Sequence, residues 1–353
     1  MIFRDQLIAM RVLCNVIFCT FTFLYLYFYQ ADIMVVAQHV ASGGKTHYVP
    51  LAGALLITLA LQLLQVGVRV VTGLYTRTYA LTYLPSLLIL IFITDISSDV
   101  TTKIDFGIWA WIFPFFLLIY IPIVYLARKY QVLEPEIRFM GASSQLIWIN
   151  VGLLLLMLIC VGVFSNSDEP FHYRARIECK LLKNDIDEAL TIGKESKKTD
   201  SSLMMLRAYA LSCHKLLGER LFEYPLLASS ENLCPDGKRT NALVFPQNKI
   251  EKRAKKNYDY LLSGLLLDKK LDKFVVNFQK YYALDKPLPK HYKEAVILYE
   301  HISKHPKIAI KSHEMENEFS SFCALADDLH GNRLKLQEQY GKTYWYYYRF
   351  VEE

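Results

Sequence analysis

The stretch Gln145-Leu-Ile-Trp-Ile-Asn-Val-Gly-Leu-Leu-Leu-Leu-Met-Leu-Ile-Cys-Val-Gly-Val-Phe164 carries no formal charge. At about 1.5 Å of rise per residue, a helix of this length matches a bilayer hydrocarbon core of about 30 Å. The sequence before this stretch is mostly apolar, whereas the sequence after it is charged. We therefore expect residues 1–165 to form a transmembrane domain and residues 166–353 to form a soluble domain.

Charge is divided unevenly between these two parts. Residues 1–165 hold 9 Lys/Arg and 7 Asp/Glu, which leaves 31 and 27 of the chain's 40 and 34 for the second part. The densest basic cluster, Lys249–Lys256, is best explained as a solvated face, so we expect no nucleic-acid partner. The seven cysteines show no Cys-x-x-Cys and no zinc-type spacing, and we expect neither a metal nor a cofactor.

Four further apolar runs precede the quoted stretch and bring the predicted number of transmembrane helices to five. The first run is too long for a signal-peptide core and no small-x-small cleavage site follows it closely, so we expect an uncleaved helix. The four runs are Val12–Tyr29, Pro50–Val71, Tyr79–Ile96 and Gly107–Leu126.

Basic residues of the short connections predict the orientation of these helices, since they resist translocation. If the N-terminus is cytoplasmic, the inner segments hold seven basic residues and the outer loops hold only Lys45 and Lys103. Five crossings of a bacterial inner membrane then place the second domain in the periplasm. The periplasm permits disulfides. The inner basic residues are Arg4, Arg11, Arg69, Arg77, Arg128, Lys129 and Arg138.

Polar residues within the second run form a candidate intramembrane seam. Gln62, Gln65 and Arg69 follow the spacing i, i+3 and i+7, which places them on one helix face. Such a seam either lines a substrate path or forms hydrogen bonds between helices while the arginine reaches the inner headgroups. We favour the second interpretation. Asn15 and Asn150 are the other amides within apolar runs.

The second domain shows helical patterns and no hairpin-type strand signals. Helix pairs are expected at 171–182 with 186–193, at 201–217 with 219–224, and at 258–267 with 271–282. Asn184 and Gly218, in the first two turns, lie 34 residues apart, as do Cys179 and Cys213. This is the tetratricopeptide period, so we predict a tetratricopeptide-like helical repeat in which stacking keeps these two cysteines unbonded.

A long loop is expected at 225–256, and further helices at 291–303 and 312–329. The last helix is expected to start near Asn332 and to run into an aromatic segment. That segment contains five consecutive aromatic residues. It forms either a stacking platform for a sugar or peptide or a partner contact, or else an end cap that packs on the last helices or a segment at the membrane interface, and we favour the last two. These residues are Tyr344, Trp345, Tyr346, Tyr347 and Tyr348.

Three motifs resemble an uncharacterised family of polytopic membrane proteins of Bacteroidota, known only as a domain of unknown function. They are Leu216-Leu-Gly-Glu-Arg-Leu-Phe-Glu-Tyr-Pro225, Leu288-Pro-Lys-His-Tyr-Lys-Glu-Ala-Val-Ile-Leu-Tyr299 and Tyr340-Gly-Lys-Thr-Tyr-Trp-Tyr-Tyr-Tyr348. The resemblance implies an inner-membrane protein with a helical-repeat domain. It carries no known activity.

Catalytic signatures are sparse. The chain has no Gly-x-Ser-x-Gly and no phosphate loop, and the pair His301 and His305 lacks a third metal ligand. Asp95, Asp99 and Asp105 lie in one outer loop, where a lipid-linked glycosyltransferase could place a base.

Two functions remain open. The favoured one is a non-enzymatic inner-membrane scaffold whose periplasmic domain binds an envelope protein. The alternative is a subunit of a membrane enzyme or transporter that acts on envelope lipids or glycans.

Overall fold

The computed structural model of the chain describes residues 2–97, 108–133, 145–310, 312–327 and 333–351. Within these ranges it contains seventeen α-helices and no β-strand, which confirms the all-α prediction. Two compact units are present, Met1–Asp168 and Glu169–Glu353, and each is described separately below.

The first unit contains six of the α-helices. A π-helical turn, Tyr25–Tyr29, extends the first of them, and a 3₁₀ turn, Tyr79–Tyr83, precedes the fourth. The six helices are α1 Ile2–Leu24, α2 Ala31–Ser42, α3 Pro50–Thr72, α4 Leu84–Thr94, α5 Trp109–Leu133 and α6 Gln145–Phe164.

Four helical segments of this unit are long and apolar enough to cross a membrane. They are Gln6–Tyr29, Pro50–Thr72, Trp109–Gln131 and Gln145–Phe164. The bounds of α6 coincide with the uncharged stretch Gln145–Phe164 that was predicted to be a transmembrane helix. The third predicted span is present as the shorter apolar helix Tyr79–Thr94.

Helix α2 lies in the connection after the first predicted span, which was expected to be an outer loop, and its helical structure was not predicted. Ile33 and Val36 are fully buried, so a short apolar side of this helix packs inward. Asp32 stands in its first turn, where the helix dipole favours a negative charge. Gly43, with φ of +58°, ends the helix in the left-handed conformation that glycine adopts without steric cost.

Hydrogen bonds join the segment around α4 to its neighbours at both ends. Near its start, Asn150 of α6 donates to the carbonyl oxygen of Thr76 (2.9 Å) and accepts from the backbone N–H of Ala80 (2.8 Å). Beyond its end, Asn166 donates to the carbonyl oxygen of Ile96. Because each bond satisfies a buried polar group, the ends of this short helix are fixed against α6.

The second unit contains the remaining eleven α-helices. They are α7 Glu169–Leu182, α8 Ile186–Thr191, α9 Ser201–Cys213, α10 Leu217–Arg220, α11 Gln247–Lys256, α12 Tyr258–Leu267, α13 Leu271–Tyr281, α14 Lys290–Ile302, α15 His313–Asp327, α16 Arg333–Tyr340 and α17 Tyr344–Phe350.

Three helix pairs of this unit turn in the same way. Asn184, Lys215 and Lys269 all have φ between +55° and +59°, and each stands just after the first helix of a pair. At each turn the next residue donates its N–H to the carbonyl oxygen five residues earlier, at 2.9–3.0 Å. This is the pattern of a Schellman motif, which closes a helix with two reversed hydrogen bonds.

The second of these turns is not where the 34-residue spacing predicts it. Helix α9 ends at Cys213 and turns at Lys215, 31 residues after Asn184, so the predicted turn at Gly218 is wrong. Gly218 lies inside α10, where a Cβ atom would approach Cζ of Tyr292 to 2.4 Å. Glycine is thus required there for close packing. Cys213 consequently does not occupy the repeat position of Cys179.

A buried carboxylate holds the long loop after α10. Glu178 of α7 is fully buried, and its carboxylate accepts hydrogen bonds from the backbone N–H groups of Leu243, Val244 and Phe245 at 2.5–3.0 Å. Arg174, one turn earlier, pairs with it at 3.5 Å. The loop therefore gains fixed partners for three consecutive amides, and it runs directly into α11 at Gln247.

The aromatic segment forms a separate helix, α17, rather than the end of one long helix. Thr343 caps it by accepting the N–H of Tyr346 at 3.2 Å. The Trp345 ring lies 5.2 Å from that of Phe319, and its indole N–H donates to the carbonyl oxygen of Glu294 at 2.8 Å. The side chain of Glu294 accepts the N–H of Tyr344 at 2.7 Å. α17 is therefore packed into the core of the unit.

We predict that Glu178→Gln destabilises the second unit by about 3–5 kcal/mol, because an amide NH₂ would face N–H groups and Arg174 would lose its buried counter-charge. Glu188→Gln is the matched control, since Glu188 is half-exposed and pairs with Lys180 at the surface. It should cost less than about 1 kcal/mol. Urea unfolding of the full chain in detergent, followed by circular dichroism, measures both. Equal effects would contradict the proposed role of Glu178.

For the closing helix, we predict that Trp345→Ala costs about 3–5 kcal/mol, because a fully buried ring is lost. Tyr346→Ala, which removes a half-buried neighbouring ring, should cost about 1 kcal/mol. The same unfolding measurement compares the two variants. If Trp345→Ala is as mild as Tyr346→Ala, α17 does not close the core.

Candidate functional site

The predicted seam belongs to a hydrogen-bonded network inside the first unit. Gln65 is buried, and its amide donates to the hydroxyls of Thr82 (2.8 Å) and Tyr79 (3.3 Å). Its carbonyl oxygen accepts from the amide of Gln62 at 3.1 Å. The two glutamines of the seam therefore connect α3 to the 3₁₀ turn before α4.

Asn15 of α1 completes this network. Its side-chain oxygen accepts from Gln62 at 3.2 Å, from the hydroxyl of Tyr79 at 3.4 Å and from the hydroxyl of Tyr83. These groups are amides and hydroxyls, so the network can orient helices or bind a neutral polar group. Each such bond between membrane helices contributes roughly 0.6 kcal/mol on average.

Arg69, the third predicted member of the seam, stands apart from the network. It is half-buried in the last turn of α3 and makes no side-chain hydrogen bond or ion pair with the residues that the structure describes. The membership of Tyr79, Thr82 and Tyr83 in this network was not predicted, because these residues lie in an apolar run. The i, i+4 spacing of the two tyrosines was the available signal.

The aromatic segment, for which a partner surface was one alternative, is largely buried. Tyr344, Trp345 and Tyr347 are buried, and the hydroxyl of Tyr347 donates to the carbonyl oxygen of Leu267 at 2.8 Å. Tyr346 and Tyr348 are half-buried. This arrangement fits an end cap better than a stacking platform, because stacking needs exposed ring faces.

Of the three aspartates predicted to lie in one outer loop, the structure describes one. Asp95 is half-buried directly after α4, whereas Asp99 and Asp105 lie outside the described residues. His301 and His305 are exposed, and the Nδ1 atom of His301 lies 2.9 Å from the carbonyl oxygen of Ile297. In the described part of the chain, no group of three or more metal-binding side chains is found.

A cavity of about 590 Å³ in the second unit, here called the basic groove, gathers side chains from α9, α11 and α12 and from the turns that follow α9 and α13. Five of its lining residues are basic. Its remaining lining residues are Tyr209, Ser212, Asn257, Tyr258, Asp259 and Tyr282, and the basic ones are Lys215, Lys249, Lys252, Arg253 and Lys256.

Four of the basic residues follow one face of α11. Residues 249, 252, 253 and 256 have the spacing i, i+3, i+4 and i+7, so their side chains project to the same side. Arg253 also donates to the carbonyl oxygen of Ser212 at 2.6 Å, which fixes α11 to the end of α9. Lys215 comes from the left-handed turn after α9, 34 residues earlier than Lys249. The tertiary structure therefore adds a fifth cation to the basic face of α11.

The base of the groove contains a buried carboxyl group. Asp259 accepts hydrogen bonds from the hydroxyls of Tyr282 (2.8 Å) and Tyr292 (3.1 Å). Burial raises the pKa of Asp259 above its ordinary value, although these hydrogen bonds oppose the shift. Beside it, Tyr258 stacks on Tyr281 at 5.0 Å and keeps 44% of its surface exposed. The groove thus combines a cationic wall with an accessible aromatic face.

The five cations of the groove lack acidic partners among the described residues, since none of them is within salt-bridge distance of a carboxylate there. Several like charges on low-dielectric walls create a positive potential that attracts anions. The sequence analysis treated Lys249–Lys256 as a solvated face. The sequence alone does not show that the turn at Lys215 and the tyrosines border this face.

Comparison with known proteins gives one match. A family model described as "Family of unknown function (DUF6057)" matches residues 248–351, less than a third of the chain. No curated protein and no solved structure matches the chain. The matched segment begins within α11 and extends through α17, so the chain is similar to an uncharacterised domain over the helices that follow the long loop.

Proposed function

We propose that this chain is a non-enzymatic inner-membrane scaffold that presents its second unit to a protein partner in the periplasm. The observation that carries the proposal is the basic groove, because side chains of α9, α11 and α12 and of the adjoining turns form one open surface. Helical arrays bind partners with surfaces of this kind, to which successive helices each contribute a few side chains.

The rigidity of this surface supports a binding role. The loop before α11 is fixed by Glu178, and α11 itself is fixed by the hydrogen bond from Arg253 to Ser212. Binding to a surface that is already ordered avoids much of the entropy loss that association otherwise costs. The groove therefore has the preorganisation that a recognition surface needs.

We further propose that the second unit is a tetratricopeptide-like array with irregular spacing. The identical turns at Asn184, Lys215 and Lys269 support this, as does the packing of each helix pair on later helices. Isolated pairs of this size cannot bury their apolar sides alone. The turns are separated by 31 and then 54 residues, so an insertion interrupts the array at the long loop.

Five membrane crossings, rather than four, agree best with the contacts of the first unit. Tyr79–Thr94 spans about 26 Å, close to the thickness of the hydrocarbon core. Its flanking segments bond at one end to Asn150, near the start of α6, and at the other end to Asn166, just after α6. The segment thus traverses the same distance as α6. With the basic residues inside, an odd number of crossings places the second unit in the periplasm.

Reporter fusions test this topology. We predict that alkaline phosphatase is inactive when fused after Arg77 and active when fused after Ser97, because Tyr79–Thr94 crosses the membrane between them. A fluorescent protein that matures only in the cytoplasm should give the reverse pattern, and should be silent after Glu353. The same result at Arg77 and Ser97 would show that Tyr79–Thr94 does not cross the membrane.

A photoreactive phenylalanine analogue tests the scaffold role. We predict that the analogue, when it replaces Tyr258 in the groove, forms a discrete protein adduct in native membranes. The control is Leu182, at the end of α7, which is equally exposed at 46% and does not line the groove. Mass spectrometry identifies the adducts. The same set of adducts from both positions, or none from Tyr258, would contradict a partner in the groove.

A further inference from the structure

We propose that the basic groove binds an extended acidic segment of a partner protein. This inference rests on the proposed scaffold function and deepens it by assigning a chemical class to the partner. Three properties of the groove carry it: the excess of positive charge, the spacing of that charge, and the aromatic and acceptor groups between the cations.

The positive charge of the groove favours an anionic ligand. Its five cations lack acidic partners within the described ranges, and Asp259, the acidic group at its base, is occupied by two tyrosine hydroxyls. A second lysine-rich cavity of about 480 Å³ provides a contrast. There, two of the four lysines are engaged within the protein: Lys270 pairs with Asp268 at 2.8 Å and Lys269 donates to the carbonyl oxygen of Val351 at 2.6 Å. In the groove, none of the four lysines pairs with a carboxylate of the described residues, and Lys249 lies 5.5 Å from the centroid of the Phe245 ring, so they can bind an external anion.

The spacing of the cations matches an extended peptide. Lys252 and Lys256 are separated along α11 by four residues, or about 6 Å. Alternate side chains of an extended chain point to the same side and lie about 6.6 Å apart. Acidic residues at every second position of a bound strand would therefore face successive turns of α11. The remaining side chains of that strand would project toward Tyr258 or toward solvent.

The other lining groups favour a peptide over a phosphate or a lipid surface. The exposed face of Tyr258 offers contact to carbon atoms, and tyrosine is enriched at protein interfaces. Both tyrosine hydroxyls bind the Oδ1 atom of Asp259, so its Oδ2 atom can accept a peptide N–H, a donor that a fully ionised phosphate lacks. A groove is also concave, so a flat bilayer surface would reach the rim rather than these central groups.

The experiment uses the full chain in nanodiscs of phosphatidylcholine and a fluorescent peptide of alternating glutamate and serine with one central tyrosine. Fluorescence anisotropy measures binding. We expect saturable binding that weakens as salt is added, and at least about a fivefold loss for the variant Lys252→Glu. The control is Lys255→Glu, which makes the same charge change on α11 outside the groove and should alter affinity less than about twofold.

Four outcomes would overturn the inference. They are equal binding of a peptide with glutamine in place of glutamate, equal losses for Lys255→Glu and Lys252→Glu, no binding of the acidic peptide, and binding to phosphatidylglycerol vesicles in its place. Circular dichroism of each variant establishes that the fold is retained. If the peptide fails while Tyr258 still crosslinks a protein, the inference falls and the scaffold function stands. If both fail, both proposals are wrong.

Discussion

The hydrogen bonds of the Glu178 carboxylate are the contact on which the second unit depends. They occupy three consecutive backbone N–H groups of a loop that would otherwise have to remain solvated. Since this loop leads directly into α11, the same carboxylate fixes where α11 begins. The bond from Arg253 to the end of α9 then fixes the other end of α11. One buried charge on α7 thereby positions the cationic wall of the groove, which lies more than 65 residues further along the chain.

The first unit follows the same physical rule with neutral groups. In a hydrocarbon environment a polar side chain must find a partner within the protein, and amides supply both a donor and an acceptor. Gln65 and Asn15 connect α1, α3 and the 3₁₀ turn before α4, while Asn150 binds the backbone just before that turn and within it. These contacts support the interpretation of the seam as hydrogen bonding between helices. Arg69, the charged member, stands outside them.

The groove differs from these sites because, apart from Arg253, its cations make no hydrogen bond or ion pair with the described residues. Glu178, Glu294 and Asp259 all accept hydrogen bonds from fixed protein groups, as structural carboxylates do. The lysines that line the groove bind no acidic group in the described ranges, and they stand beside an exposed tyrosine. A cationic, preorganised surface of this kind stabilises the folded chain little and suits recognition. This contrast is the physical basis of the proposed function.

The sequence by itself determined the all-α class, the bounds of α6 and the helix pair of α12 and α13, because apolar runs, helical periodicity and turn residues are local signals. It failed at Gly218, where a glycine needed for contact with Tyr292 was taken for a turn, and at α17, where the cap at Thr343 splits the expected last helix. The groove was decided by tertiary structure alone. Lys215, α11 and Tyr282 come together only through contacts between distant residues, and no local pattern encodes such contacts.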